Sequence, residues 1–369
     1  MRREKPLLLR RMENYNNEEK KKQKSRDVAV LLLFVVLLLL VWIIFGVVWA
    51  LVTRVPKRTV STVEMREPVV TSTSEVSRLL LNGAVVMTPD AVAEPVVGVM
   101  IDMHRDAQPV SGIDRAQVVY EVPVEGGIHR LLALFTKGAP VDEVGPVRSA
   151  RPYFVDIAGE YGALYMHVGG SPDAVEQLYA DRAVINLDQW YFSQYYWRDR
   201  RRASPHHIYT SSSRFENAAQ ARGMVTSTFG SWLFTDEQPI AWNEALAVAF
   251  PEVNQGRPLW QFAPDTAQYV RMFGDTAYLT RNGGEVAVNT IIVQQVRQKV
   301  LDAEGRLELG VHEEGFAWFF RDGKAAHGFW KYNKKEHRTR WYDDQGNEIG
   351  LKPGSIWVHV VPVGVEPRF

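Results

Sequence analysis

Cysteine is absent from the 369 residues of this chain. Disulfides, thiolate metal sites, a cysteine nucleophile and a lipidated N-terminal cysteine are all excluded by that one fact. Net charge is absent too, since 43 Lys and Arg balance 43 Asp and Glu. Neither G-x-S-x-G nor H-E-x-x-H occurs, and the glycine pairs lack a dinucleotide or P-loop spacing. No ligand spacing demonstrates a metal, and no cofactor is implied.

Charge is also missing locally. Val28 to Val52 (VAVLLLFVVLLLLVWIIFGVVWALV) contains no charged residue. The run exceeds the roughly 20 residues a helix needs to cross about 30 Å of hydrocarbon. A cleavable signal has a shorter apolar core, about 7 to 15 residues, and a small-x-small site. Here Trp49-Ala50-Leu51-Val52-Thr53-Arg54 offers no clean site, so a retained transmembrane helix contacting the lipid bilayer is expected. Residues 1–53 hold ten Lys or Arg and five Asp or Glu, with Lys20, Lys21, Lys22, Lys24 and Arg26 crowded before the run. Basic flanks stay cytoplasmic, which predicts an inside N-terminus and residues 54–369 outside. Those residues carry 33 basic and 38 acidic side chains, so nothing suggests nucleic-acid binding.

The predicted organisation is a cytoplasmic basic segment (1–27), the membrane helix (28–52), a flexible spacer (53–93) with a short helix around Glu75–Asn82, and two domains. Residues 94–230 read as α/β. Pro95–Asp102 is a short apolar run suited to a buried strand. Gln117–Val124 and Ile128–Phe135 flank a turn at Glu125-Gly126-Gly127. Pro152–Tyr161 is a helix, Ala163–Val168 a strand, and Ser171 caps a helix beginning at Pro172. Residues 231–369 read as β-rich (α+β), with strand-like Ala287–Arg297, Gly315–Arg321 and Ile356–Val361 between glycine turns.

Chemistry concentrates between Tyr120 and Ser211. On one strand Glu121 and Glu125 face the same way, roughly 13 Å apart. That is too far for a shared proton unless the glycine turn folds the second carboxylate back. Arg148-Ser149-Ala150-Arg151 precedes a helix start, where amides and two guanidinium forks suit phosphate or carboxylate. The bland alternative has these arginines tying the helix to Glu121, Asp142 or Glu143. His167 precedes Gly169-Gly170-Ser171 at a strand end, a crevice position in open α/β sheets, or else is a satisfied core histidine. His206 and His207 are adjacent in an extended segment, so they point to opposite sides. His312, His327, His337 and His359 read as structural.

Tyr120–Gly127, Val144–Phe154, His167–Pro172 and Pro205-His206 with Tyr209-Thr210-Ser211 together resemble the YerB-like lipoprotein family, a DUF3048 family of bacterial envelope proteins. Phe320–Lys324, Gly328–Lys331 and Arg340–Asp343 continue the resemblance, which spans about residues 94–363. It implies a two-domain extracytoplasmic protein without an established activity. Three departures stand out. A family anchored through cysteine is matched here by a chain without one. Met103 and His129 stand where the family has Asn and Thr. Ser204-Pro205-His206-His207 replaces Ala-Pro-His-Asn.

The sequence thus predicts an α/β membrane-proximal domain and a β-rich C-terminal domain behind one transmembrane helix. Its expected role is to bind an anionic cell-wall or glycan ligand through Arg130, Arg148, Ser149, Arg151, Gly169, Gly170 and Ser171. The rival is a hydrolase or transferase of envelope polymers using Glu121 or Glu125 with His167 or His206. The third reading is a scaffold that binds another envelope protein, which an exposed apolar patch in the β-rich half would favour.

Overall fold

The run Val96–Asp102 forms β1, buried on both faces along its whole length. Near-continuous apolar strands of this kind belong in the middle of a covered sheet, and that is where β1 lies. The computed structural model describes residues 77–87, 93–136, 139–180, 182–237, 242–250 and 259–369. They fall within one compact unit, Ser74–Phe369.

The remaining strands of the main sheet are β2 (Val118–Pro123), β3 (His129–Thr136), β4 (Leu164–His167), β5 (Ile185–Asp188), β6 (Thr290–Val296), β7 (Glu314–Arg321), β8 (Lys324–Asn333), β9 (Arg338–Asp343) and β10 (Ile356–Pro362), with the two-residue strand Asn243–Glu244 pairing beside β8. Their spatial order is β9-β8-β7-β6-β10-β2-β3-β1-β4-β5. Both halves of the sequence therefore share one sheet. The join is the parallel pairing of β2 with β10, Val118 opposite Ile356 through Glu121 opposite His359. A chain-terminal strand entering the middle of a sheet is a long-range pairing that no local pattern announces.

Alternation of side chains sends Val97, Val99 and Ile101 to one core, and Val96 and Met100 to the other. The second core is roofed by α1 (Pro152–Gly159) and α2 (Pro172–Ala180). The first is roofed by α3 (Ser212–Ala221) and by a smaller sheet that includes Leu259–Ala263 and Gln268–Phe273. Trp260, Trp330, Trp341 and Trp357 are fully buried across these cores. Burying a side chain of that size contributes upward of about 2 kcal/mol each.

A second buried tie crosses the two halves. Glu160, just after α1, accepts from the Thr339 backbone N–H and hydroxyl, both at 2.8 Å. Arg338 Nη1 lies 3.6 Å from the same carboxylate, and its guanidinium sits over the Tyr161 and Trp232 rings at 4.1 and 4.4 Å. Helix and outer strands are thereby fixed as one body.

The expected α/β domain beside a β-rich one is corrected: the described residues form twenty strands and three α-helices, and the protein is mostly β-sheet. The helix–strand alternation of residues 152–188 is real but local. It supplies two parallel strands to a sheet whose other neighbours are mostly antiparallel. No helix among the described residues is long and apolar enough to cross a membrane. The expected transmembrane helix therefore finds no support in the structure, Val28–Val52 and the basic segment before it lying outside the described residues. A turn, not a helix, occupies residues 80–82, where Leu81 and Asn82 are buried.

Candidate functional site

β1 and β4 are parallel neighbours, so their carboxyl ends open on the same side, the position where such sheets gather ligands. Asp102 ends β1 and His167 ends β4. The arginine-bearing loop is threaded between them: Arg148 N donates to the Met100 carbonyl at 3.0 Å, and Val168 N to the Arg148 carbonyl at 3.1 Å. Ala150 N then donates to the Gly169 carbonyl at 2.9 Å. Backbone pairing, not side-chain chemistry, brings Arg148 and Arg151 to this end of the sheet.

Asp102 is 1% exposed and is the hub. His206 Nδ1–H donates to its Oδ2 at 2.7 Å, and the His104 backbone N–H donates to Oδ1 at 3.0 Å. Arg148 Nε lies 2.9 Å from Oδ2, an ion pair off the line of a hydrogen bond. The His104 and His206 rings stack, centroids 5.4 Å apart and nearly parallel.

Glu125 is the second anion. The turn Glu125–Gly127, with Gly126 at φ 74° and Gly127 at φ 68°, folds it back beside Arg151. Glycine takes that left-handed backbone without strain. Arg151 grips the carboxylate with both arms, Nε to Oε2 at 2.9 Å and Nη2 to Oε1. Arg130 Nη2 adds a long contact to Oε1 at 3.5 Å, and its Nη1 donates to the Ser149 carbonyl at 3.2 Å. Burial pushes the Glu125 carboxyl up, but Arg151 and then Arg130 hold it below its ordinary value.

Three guanidinium groups thus face two carboxylates, and the deficit shows on Arg130. It is 3% exposed, and its Nε has no partner. Burial, then the neighbouring Arg151, lowers its pKa to about 10, against the opposing pull of Glu125. The group carrying the least compensated charge is the most buried of the three.

Glu121 does not join this cluster. It projects from the other face of β2, where Arg271 holds it with two hydrogen bonds at 2.7 and 3.2 Å. Trp357 Nε1–H donates to it at 3.0 Å and His129 Nδ1 at 3.2 Å. His359 Nδ1 lies 3.4 Å away, its Nε2 accepting from Trp260 at 2.9 Å. Burial alone would raise this carboxyl, but Arg271, with His359 and His129, leaves it well below the usual range. Burial lowers His359 to about 3, so its ring is neutral near pH 7. A carboxylate so sealed is no acid or base for a substrate.

His167 is likewise spoken for. Fully buried, it binds the Gly169 carbonyl through Nδ1 and the Asn186 side-chain oxygen through Nε2, both at 2.8 Å. Ser171 caps α2, its hydroxyl accepting from Ala174 N at 3.4 Å. A Cβ on Gly170 would come within 3.4 Å of Ala150, so the glycine lets the two loops meet. The Trp190 indole lies over Gly169, and Asp188 Oδ1 ties the two loops by accepting from Gly169 N and Trp190 N. Trp190 and Tyr191 are 67% and 69% exposed. His207 turns away from His206 toward Arg198, with its buried Nδ1 unpartnered.

Of the residues singled out from sequence, Arg130, Arg148, Ser149, Arg151, Glu125 and His206 come together. Gly169, Gly170, Ser171 and His167 build the adjoining wall, and Glu121 lies elsewhere. Asp102, His104 and Asp106 were missed. The signal was there: a charged residue closing an apolar buried run, with a histidine two residues on. A cavity of about 320 Å³, lined by Asn82, Asp114, Gln117 and Ser355 among others, lies at the opposite, entering ends of β2 and β10.

A mixed sheet shared by two sequence halves, with a polar cluster at the ends of its parallel strands, defines a two-part domain class. Residues 81–225 match the N-terminal domain of the protein family of unknown function DUF3048, and residues 246–358 match its C-terminal domain. The chain belongs to that YerB-like family. It is similar to the YerB protein of Bacillus subtilis (strain 168), named as a lipoprotein, at 29% identity over 271 residues, 72% of this chain and 81% of that one. The crystal structure of Bacillus subtilis YerB superposes with a TM-score of 0.70 at 26% identity, covering 79% of this chain and 99% of the other.

Proposed function

We propose that this is an envelope-associated protein that binds an anionic glycan or cell-wall polymer at the ends of β1 and β4. The relative named as a lipoprotein supports the location. One observation carries the ligand class: among the described residues, the carboxylates paired with Arg130, Arg148 and Arg151 are Glu125 and Asp102, and buried Arg130 keeps an unpartnered Nε. A phosphate or carboxylate arriving beside Arg148 supplies the missing negative charge, and guanidinium forks are built for such groups. Exposed Trp190 and Tyr191 on the adjoining loop offer faces on which sugar rings stack.

Thermal unfolding of the purified chain with inorganic phosphate, phosphosugars and cell-wall fragments tests this reading. At about 100 times its dissociation constant a ligand stabilises the native state by roughly 2.7 kcal/mol. The shift should vanish in Arg148→Ala, whose side chain is 22% exposed. No shift with any anion, in a wild-type protein that is fully folded, sinks the reading.

A specific observation keeps a second reading alive. His206 and Asp102 are a carboxylate–imidazole pair at 2.7 Å, the arrangement that orients a general base. Turnover of the same polymers, lost in His206→Gln, would turn the binder into a hydrolase or transferase.

A further inference from the structure

The geometry points to a binding site for a zinc-type divalent metal ion formed by His104, Asp106 and His206. One ligand atom from each of the three lies within 4.8 Å of the others. Zinc bonds of about 2.0–2.1 Å place tetrahedral donors roughly 3.4 Å apart. Side-chain rotations close the difference, and Asp106 is exposed, with His104 Nδ1 and Arg105 Nε each 3.5 Å from its carboxylate. Two imidazoles and a carboxylate suit zinc and its neighbours rather than magnesium or calcium, which take oxygen. Three protein ligands leave the fourth tetrahedral position to water or to a bound group, the arrangement of sites that act on ligands rather than merely hold a fold together.

Two further features are those of a supported site. A metal-bound histidine almost always donates its other ring N–H to a carboxylate or carbonyl, which fixes its tautomer. His206 does so already: Nδ1–H is held by Asp102, so the Nε2 lone pair is left for a metal. The two loops bearing the ligands are also fastened together. Arg202 reaches from the His206 loop to the carbonyls of Ala107 and Pro109, both at 2.8 Å, beside the turn Arg105–Ala107 that carries Asp106. Arg148 and Arg105 are nearby cations, as is Arg202, whose guanidinium is engaged with those carbonyls. Arg148 is matched by Asp102, and Arg105 is 82% exposed with its Nε 3.5 Å from Asp106. This inference is independent of the anion-binding reading, because the ion alone is the probe.

The test is calorimetric titration of the untagged full chain, stripped with chelator, with Zn²⁺, Co²⁺, Mg²⁺ and Ca²⁺ in turn. One equivalent of Zn²⁺ should bind, and Co²⁺ should give the intense visible absorption of a four-coordinate ion. His104→Ala, Asp106→Asn and His206→Ala should each weaken Zn²⁺ binding at least 100-fold. Asp102→Asn, acting through His206, should weaken it about 10- to 100-fold. His327→Ala, an exposed histidine on the outer strands, should leave it unchanged. Asp106→Asn changes a surface residue, so a folding failure cannot obscure its result. The inference is overturned by no stoichiometric Zn²⁺ binding, by binding that survives His104→Ala with His206→Ala, or by equal preference for Mg²⁺ or Ca²⁺.

Discussion

Glu121 and Asp102 are two deeply buried carboxylates on the central strands that flank β3, 2% and 1% exposed, and each meets an arginine and a histidine. Their settings differ in kind. Glu121 is closed over by Arg271, Trp357, His129 and His359, so every oxygen lone pair that matters is used. Its arginine and two of its other partners come from the C-terminal half, and the pair locks the smaller sheet onto the main one. Asp102 faces the sheet end, where its histidine keeps a nitrogen to spare and its arginine is 22% exposed. The same residue types make a rivet when the second layer covers them and a site when it does not.

The largest effect should come from breaking the rivet. Glu121→Gln leaves Arg271 buried without its counter-charge, and removal of one partner from a buried ion pair costs about 3–5 kcal/mol. Urea unfolding should show that loss, with metal and anion binding intact in the fraction that stays folded. A loss under about 1 kcal/mol would mean Glu121 is not structural, and the contrast with Asp102 would collapse.

The acid response sharpens the same contrast. His359 has its folded pKa lowered to about 3 from an ordinary 6.5. Between those values the unfolded chain binds a proton that the native state refuses, so stability falls as pH falls from 6.5 toward 3. The slope is about 1.4 kcal/mol per pH unit for one proton. Glu121, lowered well below 4.5, adds a further loss as pH drops beneath 4.5. Glu160, raised by burial and only partly restrained by Arg338, works in the opposite sense above 4.5, so the wild-type curve is a sum. The difference between wild type and His359→Gln isolates the histidine: the variant should be flatter by one proton between pH 6.5 and 4. Parallel curves would show that His359 is protonated in the native state.

A smaller change should appear at the site itself. Glu125 competes with any incoming anion for Arg151 and Arg130. Its side chain is 25% exposed, so Glu125→Gln should cost about 1–2 kcal/mol of stability while tightening phosphate binding about tenfold. Weaker phosphate binding would mean that Glu125 positions the arginines rather than masks them.

Much of this was legible in sequence wherever the information is local. β1, the Glu125 turn, α1 from Pro152 and the Ser171 cap follow from apolar runs, glycine and first-turn proline, and each sits within two residues of its expected bounds. The arginine cluster was legible for the same reason, because one loop carries two of its three members. Three things were not. The insertion of β10 beside β2 joins residues 118 and 356, and only three-dimensional pairing reveals it. Glu121 and Glu125 share strand parity, yet the glycine turn sends the second to the opposite face. Asp102 reads as the last residue of a strand until His206, 104 positions later, meets it.

The smallest stability effect should be at Trp190, and it separates ligand classes most cleanly. The indole is 67% exposed and rests on Gly169 rather than in a core. Exposed positions of this sort shift stability by no more than about 0.5 kcal/mol, so Trp190→Ala should unfold with wild-type Tm. Inorganic phosphate has no ring to stack, and its binding should be unaltered. A glycan that lies across the loop loses an aromatic face, which should weaken it roughly five- to tenfold at about 1 kcal/mol per lost stacking contact. Equal weakening of phosphate and glycan would place Trp190 in the support of the arginine loop. No weakening of either would confine the site to the Asp102 cluster, and the exposed ring would then belong to a different surface.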